Sequence, residues 1–164
     1  MSEVKLERAG LIRRIGAWVY DALVITAIML LASGLGILFI HLLNSTALIE
    51  FEAGQDLAEY ARTNLFYQAW LALCFFSFYI WFWRRGGQTA GLKTWRLQIR
   101  SLNGQPLTHI QCLLRLAFSF FGLGNLLVLL PPFKKRALQD IASGTEVIVL
   151  SKEDNKHVNW KGYM

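Results

Sequence analysis

The stretch RRIGAWVYDALVITAIMLLASGLGILFIHLL, residues 13–43, decides the fold because it combines a long apolar run with charged side chains near its start. From Ile15 to Leu43 it contains about 29 residues, or ~44 Å of α-helix, against ~30 Å for the hydrocarbon core of a bilayer. The run is far too long for a removable signal peptide, and it lacks a cleavage site of small residues. It therefore predicts a helix that crosses a membrane and stays there as an anchor.

An aspartate inside this run requires a reason, because a carboxylate at the bilayer centre costs about 2.5 to 3.5 kcal/mol. Asp21 follows Arg14 by two helical turns, so both side chains project from one face, ~10 Å apart along the axis. One interpretation is that Asp21 faces a protein interior and binds a cation or a proton beside the opposite charge of Arg14. The other counts ~20 residues back from Leu43, which places the bilayer boundary near Val24. Asp21 would then lie among the headgroups and only fix the depth of the helix.

Two further apolar segments follow, at 65–83 and 116–133. The first has aromatic residues at both ends, as interfacial belts do, and predicts a second span. The second is interrupted by Gly122, Gly124 and Asn125, and it ends at a pair of prolines. Cationic residues stand at both of its ends: Arg115, Lys134, Lys135 and Arg136. Because both ends are basic, a re-entrant hairpin is favoured over a straight third span.

The formal net charge of +6 is distributed unevenly around the apolar segments. The N-terminal arm and the connector 84–112 are basic, whereas the connector 44–64 is acidic. The positive-inside rule therefore predicts that the N-terminus and the connector 84–112 are cytoplasmic. Since the basic residues flank apolar spans, attraction to anionic lipid headgroups explains them, and we expect no nucleic-acid partner.

The connector 84–112 contains an alternating pattern typical of a strand, at 94–101, with apolar residues on one face and basic or polar residues on the other. Asn103-Gly104 predicts a turn, and 105–108 a short return strand. The residues 146–150 form another strand candidate, and 134–143 predict a short helix ended by Gly144. Together these elements predict a small cytoplasmic sheet.

The segment GGQTAGLKT, residues 86–94, is close to a phosphate-binding loop. Leu92 stands where the lysine of such a loop belongs, and a membrane span precedes the segment instead of a strand. We therefore interpret it as a turn that leaves the bilayer.

The residues that usually carry catalysis or bind metals are scattered. His41, His109 and His157 have no partner at ligand spacing, and Cys74 and Cys112 form no metal motif or disulfide framework. The motifs HExxH, CxxC and GxSxG are absent from the sequence. We expect no enzyme, no catalytic residue, no metal site and no cofactor.

The polar residues at these places make the chain resemble the RDD family of small bacterial integral membrane proteins, named for an arginine and two aspartates. Arg14 and Asp21 in RRIGAWVYD resemble the first pair, and Asp140 in LQDIASGTEVIV the second aspartate. The segment GQTAGLKTWRLQIRSLNGQPLT is similar to the family's connector, and LLRLAF, which contains Arg115, to the start of the third apolar region. Two residues depart from the pattern: Leu92 separates a glycine from a lysine that are often adjacent, and Gln139 replaces a frequent histidine. The resemblance implies transport, with cation/proton exchange proposed for some members.

We predict an all-α membrane protein with two full transmembrane helices, a third broken segment that is re-entrant or spanning, and a small cytoplasmic β-hairpin or sheet. One membrane domain covers 1–150, and a polar tail covers 151–164. The predicted function is binding or transport of a small cation or proton in the bacterial inner membrane. The candidate site is a cluster of Arg14, Asp21 and Asp140, with Arg115 either a fourth member or an interfacial anchor. Asp140 has its own alternative, a surface ion pair with Arg136 one turn before it.

Two spans and a hairpin cannot enclose a pathway, so transport requires a homo-oligomer or a membrane partner. The alternative function is a non-transporting assembly or accessory protein that docks a partner on its basic cytoplasmic face.

Overall fold

The computed structural model describes residues 7–52, 54–130 and 135–157. The chain is mostly helical, and its contacts divide it into two units, which are described separately: unit 1 comprises 1–23 and 79–164, and unit 2 comprises Val24–Phe78. The elements in chain order are α1 (Leu11–Ser45), α2 (Leu57–Thr63), α3 (Leu65–Gly86), α4 (Ala90–Thr94), β1 (Leu97–Ser101), α5 (His109–Ser119), a 3-10 segment (Phe120–Leu129), α6 (Leu138–Ser143), β2 (Thr145–Val149) and α7 (Lys152–His157).

Among the described helices, α1 and α3 are long and apolar enough to cross a bilayer. The 35 residues of α1 correspond to ~52 Å, and the 22 residues of α3 to ~33 Å. Their large apolar side chains are widely exposed, as lipid-facing residues are; Leu30, Leu31 and Leu73 are examples. Both predicted spans are confirmed, and α1 extends a few residues beyond each predicted end.

Unit 2 contains the later part of α1, the acidic connector and the first part of α3. Polar groups join the two long helices here: Ser33 and Tyr67 share a hydroxyl–hydroxyl hydrogen bond of 2.7 Å, and Trp70 Nε1 donates to the Ala32 carbonyl at 2.9 Å. A Cβ on Gly36 would lie 2.8 Å from the Tyr67 ring, so the glycine allows this close approach. In the connector, the Asp56 carboxylate caps α2 by accepting from Glu59 N.

Unit 1 contains the two-stranded sheet, in which β1 pairs antiparallel with β2. Both predicted strands are confirmed within a few residues, and Gly104, with a φ of +70°, occupies the predicted turn. The predicted return strand at 105–108 is wrong, because these residues form no strand and lead into α5. Both edges of β1 are already occupied: β2 takes one, and on the other Ile99 N donates to Gly87 O at 2.8 Å.

The sheet fixes the course of the third apolar segment. The segment contains the end of α5 and the 3-10 helix, and the axes of His109–Ser119 and Gly122–Leu129 are bent by 81°. β1 precedes it and β2 follows it, and hydrogen-bonded strands cannot lie on opposite sides of a bilayer. Both ends of the segment therefore lie on the same side of a membrane, as in the predicted re-entrant arrangement. Its last predicted residues, 131–133, lie outside the described residues, as does the predicted helix start at Lys134; α6 begins at Leu138.

The N-terminal arm joins the same sheet. Ala9 N donates to Val147 O at 2.9 Å, and Val149 N donates to Glu7 O at 2.8 Å. The apolar core of unit 1 packs around this layer, with Leu97, Ile99 and Cys112 almost completely buried. The arm, the connector and the C-terminal strand consequently form one compact body.

The polar tail predicted for 151–164 is described as far as residue 157, and its later part lies outside the described residues. Its first residues form α7, which is attached to the connector through Asn155. The Asn155 side chain accepts from Gln88 Nε2 at 2.9 Å and donates to the Lys93 carbonyl at 3.0 Å.

Candidate functional site

Three of the four predicted site residues meet in one buried ion cluster in unit 1. Asp140 Oδ2 lies 2.7 Å from Arg14 Nη2, and Asp140 Oδ1 lies 2.9 Å from Arg115 Nη1. Arg14 and Arg115 are each 4% exposed, and Asp140 is 0% exposed. The cluster joins the first turn of α1 to α5 and α6, which are far apart in sequence.

The local sequence explains how α5 and α6 present these side chains. Thr108 and Gln111 form a capping box at the start of α5, with Gln111 Oε1 accepting from Thr108 N at 3.0 Å. Arg115 follows Gln111 by one turn and so points the same way, toward α6 and β2. In α6, Asp140 lies in the first turn and accepts from Ala137 N at 3.0 Å, and Gly144 ends the helix with a φ of +63°.

Asp140 is an ionised carboxylate held by two cations. Burial alone would raise the pKa of Asp140, but the charges of Arg115 and Arg14, with the hydrogen bonds from Arg14 and Ala137, lower this pKa below its ordinary value. Arg14 and Arg115 also bond to neutral groups: Arg14 Nε donates to Ala9 O at 3.0 Å, and Arg115 donates to the Thr145 hydroxyl. Two guanidinium groups on one carboxylate leave an excess of one positive charge.

Asp21 lies apart from this cluster and binds other partners. Its Oδ1 accepts from Gly91 N at 2.9 Å, and its Oδ2 accepts from the Thr89 hydroxyl. Asp21 is 6% exposed. Within the described part of the chain, no ion pair reaches its carboxylate.

The short helix α4 is therefore docked on α1 by the Asp21 carboxylate. Thr89 is the N-cap of α4, and Gly91 supplies a backbone N–H that the first helical turn leaves without a partner. The contact is too close for a side chain at position 91, because a Cβ there would lie 2.1 Å from Ala17 O and 2.9 Å from Asp21 Cγ.

The predicted cluster of Arg14, Asp21 and Asp140 is thus corrected, because Asp21 binds other partners. Arg14 and Asp21 share a helix face, but ~10 Å is too long for an ion pair, and Arg14 turns to Asp140 instead. The alternative of a surface ion pair between Arg136 and Asp140 is also wrong: Arg136 Nη2 donates to the backbone carbonyl of Asp140, and the carboxylate is buried. Arg115 is a member of the cluster and not an interfacial anchor.

Sequence reasoning missed Thr89 and Gly91, which it assigned to a simple turn. The signal was present, since a polar GGQTAG segment directly after a span has backbone N–H groups free to bind a carboxylate. It also missed a buried amide pair, in which Gln139 Nε2 donates to Asn125 Oδ1 at 2.8 Å and joins α6 to the re-entrant segment.

The chemistry available at these sites is limited to charge and hydrogen bonding. Across residues 7–52, 54–130 and 135–157, no group of three His, Cys, Asp or Glu side chains is placed to hold a metal ion. Both oxygens of Asp140 are occupied by charged donors, whereas those of Asp21 accept only from neutral donors. Asp21 is thus the carboxylate whose charge a proton or a cation would neutralise.

Comparison with known proteins identifies a family. The model of the RDD family matches residues 8–144, a range that contains Arg14, Asp21, Arg115 and Asp140. No curated protein and no solved structure matches the chain.

Proposed function

This chain belongs to the RDD family, and we propose that it binds a proton or a small monovalent cation at Asp21 as part of an ion-coupled transport assembly. The observation that carries the proposal is the uncompensated charge of Asp21. A carboxylate that is 6% exposed and receives only a hydroxyl and an amide N–H has lost its hydration without gaining a cation. A bound proton or monovalent cation would remove that cost.

The depth of Asp21 favours a functional site over an anchor at headgroup level. Arg13 and Arg14 stand in the first turn of α1, where cations lie at headgroup level. Asp21 follows Arg14 by two helical turns, or ~10 Å along the helix axis. Asp21 would then lie inside the hydrocarbon boundary, where polar side chains mark ion pathways in membrane proteins.

In this proposal the Arg14–Asp140–Arg115 cluster is a scaffold and binds no transported ion. Its carboxylate is saturated by charged donors, and it holds α5, α6 and the start of α1 together. Two spans and a re-entrant segment do not enclose a pathway, so the transporting unit is a homo-oligomer or includes a membrane partner. We propose no enzymatic reaction and no resident cofactor.

The same proposal places unit 1 on the cytoplasmic side of a bacterial inner membrane. Arg13 and Arg14 stand in the first turn of α1, and Arg84 and Arg85 in the last turn of α3. Acidic residues dominate the connector between these spans. This asymmetry is what the positive-inside rule describes, and it supports a cytoplasmic N-terminus.

The test is ion flux in vesicles that contain the purified full chain. A pH-sensitive dye inside the vesicles should report proton movement when Na⁺ or K⁺ is added outside, and the Asp21→Asn variant should abolish it. The matched control is Asp56→Asn, which changes an exposed N-cap aspartate of α2 and keeps its capping oxygen. Unchanged flux in Asp21→Asn contradicts the proposal, and no flux in the natural sequence contradicts a transporting homo-oligomer.

A second candidate function is a non-transporting accessory protein that docks a partner on unit 1. The observation that favours it is a set of exposed cations on this unit: Arg84, Arg85, Arg96, Lys152 and Lys156. Such a surface fits an acidic partner. If this candidate is correct, the chain shows no flux and retains a membrane partner that is lost in Arg96→Glu but not in Arg62→Glu, an equivalent change in unit 2.

A further inference from the structure

Two arginines that adjoin the buried cluster in the chain, Arg13 and Arg136, each contain a buried nitrogen without an acceptor. In the described part of the chain, Arg13 Nη1 and Arg136 Nε are buried and make no hydrogen bond. Arg136 donates from Nη2 to the Asp140 carbonyl at 3.3 Å. Arginine nitrogens buried in this way normally have an acceptor, so their number here indicates that one is missing.

Arg13 and Arg136 are next in the chain to two residues that contact each other, Arg14 and Lys135. Arg14 Nη2 donates to the Lys135 carbonyl at 3.3 Å, which holds residue 135 against the first turn of α1. Arg13 and Arg136 are the chain neighbours of the two residues in that contact, and consecutive Cα atoms are only ~3.8 Å apart. We refer to Arg13, Lys135 and Arg136 as the basic triplet.

The charge around the basic triplet is not balanced by its own carboxylates. The triplet and the adjoining cluster contain five cations, Arg13, Arg14, Arg115, Lys135 and Arg136, and their ion pairs use two carboxylates, Glu7 and Asp140. Asp140 is fully occupied by Arg14 and Arg115, and the 3.6 Å contact between Lys135 and Glu7 is exposed to solvent. An anion with several oxygens is the natural complement of this excess.

The surroundings identify the class of anion. The basic triplet lies at the first turn of a spanning helix that is longer than the hydrocarbon core by ~20 Å, so it lies near headgroup depth. On either side of Arg13, Ile12 is 79% exposed and Ile15 is 41% exposed. Exposed apolar side chains next to guanidinium groups with a nitrogen left without an acceptor suit a ligand with a phosphate and an acyl chain.

We propose that the basic triplet binds the phosphate of an anionic phospholipid, with the exposed isoleucines of α1 against its acyl chain. The site is separate from Asp21, and it does not depend on ion transport. A lipid held there would bridge α1 and the segment before α6, and so tie the compact unit to the bilayer surface.

The test measures lipid retention by the purified full chain. Native mass spectrometry of the protein in detergent should show preferential retention of phosphatidylglycerol over phosphatidylcholine. Arg13→Gln/Arg136→Gln should weaken phosphatidylglycerol binding roughly 10- to 30-fold, because each cation near a membrane surface contributes about 1 kcal/mol. The matched control, Lys152→Gln/Lys156→Gln, removes two exposed cations of α7 and should change binding less than about twofold.

A second pair of variants separates charge from folding. Arg13→Lys/Arg136→Lys keeps both charges and should retain most of the phosphatidylglycerol binding. Equal losses in the lysine and glutamine pairs would overturn the proposal, as would equal losses in the glutamine pair and the α7 control. Absence of a preference for phosphatidylglycerol, or its displacement by inorganic phosphate at similar concentration, would also overturn it. Asp21→Asn should leave lipid binding unchanged, so this result and the flux result are independent.

Discussion

Asp140 and Asp21 are both buried aspartates in the same compact unit, yet their surroundings differ in charge. Asp140 accepts from two guanidinium groups and one backbone N–H, whereas Asp21 accepts from a hydroxyl and a backbone N–H. The first carboxylate is compensated and joins distant elements. The second is uncompensated and lies in a spanning helix. The comparison teaches that burial alone does not assign a role to a membrane aspartate; the charge of its donors does.

The strongest test of this contrast removes the compensated charge. Asp140→Asn would leave Arg14 and Arg115 buried without an anion, and breaking a buried pair in this way costs about 3 to 5 kcal/mol. We expect a loss of this order in the free energy of unfolding, measured by denaturant titration in detergent. Glu153→Gln, an exposed change in α7, is the control and should have almost no effect. A loss below about 1 kcal/mol for Asp140→Asn would show that the cluster does not stabilise the fold.

Acid should reproduce part of that loss in the natural sequence. The pKa of Asp140 is lowered in the folded state, so the unfolded chain takes up this proton more readily as the pH falls. The contribution of Asp140 is therefore complete above the ordinary pKa of 3.8 and is lost as the pH falls below it. We expect the stability difference between the natural sequence and Asp140→Asn to be constant from pH 7 to about 5 and to shrink toward pH 3. A difference that grows on acidification would contradict this assignment.

The elements of the fold were largely predictable because each has a local signal. Apolar length gave the two spans, and period-two alternation gave β1; Gly144 marked the end of α6. The incorrect return strand shows the limit. An Asn-Gly turn after a strand predicts a hairpin, but β1 pairs with β2, which lies more than forty residues later in the chain. Local pattern cannot show which long-range pairing wins.

The sequence predicted which charged residues belong to the candidate site, but it did not predict which of them contact each other. Arg14, Asp140 and Arg115 were all named, because a charge in or beside an apolar segment is unusual enough to notice. Their contacts depend on how α5 and α6 pack on α1, and a single sequence contains no direct signal of that packing. Thr89 and Gly91 were missed because a hydroxyl and a glycine carry no charge that would mark them.

An intermediate loss of stability is expected from a substitution at Gly91, where α4 makes its closest approach to α1 beside Asp21. In Gly91→Ala the new Cβ would lie 2.1 Å from Ala17 O, so α4 must move away from α1 and from the Asp21 carboxylate. Overpacking of this kind costs about 1 to 3 kcal/mol. The matched control is Gly34→Ala, a helical glycine with no atom within 4 Å of an added Cβ. If both variants unfold at the same denaturant concentration, the close approach of α4 to Asp21 is not required.

The smallest effect on stability should come from Asp21→Asn, although this variant should have the largest effect on ion flux. Asparagine keeps one acceptor oxygen for the Gly91 N–H, and the Thr89 hydroxyl can accept from its amide instead of donating. The exchange alters one hydrogen bond, worth about 0.5 to 1.5 kcal/mol, and it removes a buried charge whose desolvation opposes folding. We therefore expect the free energy of unfolding to change by less than about 1 kcal/mol, measured under the conditions used for Asp140→Asn. A loss as large as that of Asp140→Asn would mean that the Asp21 charge supports the fold, and a loss of flux in the same variant would then report misfolding and not a missing ion site.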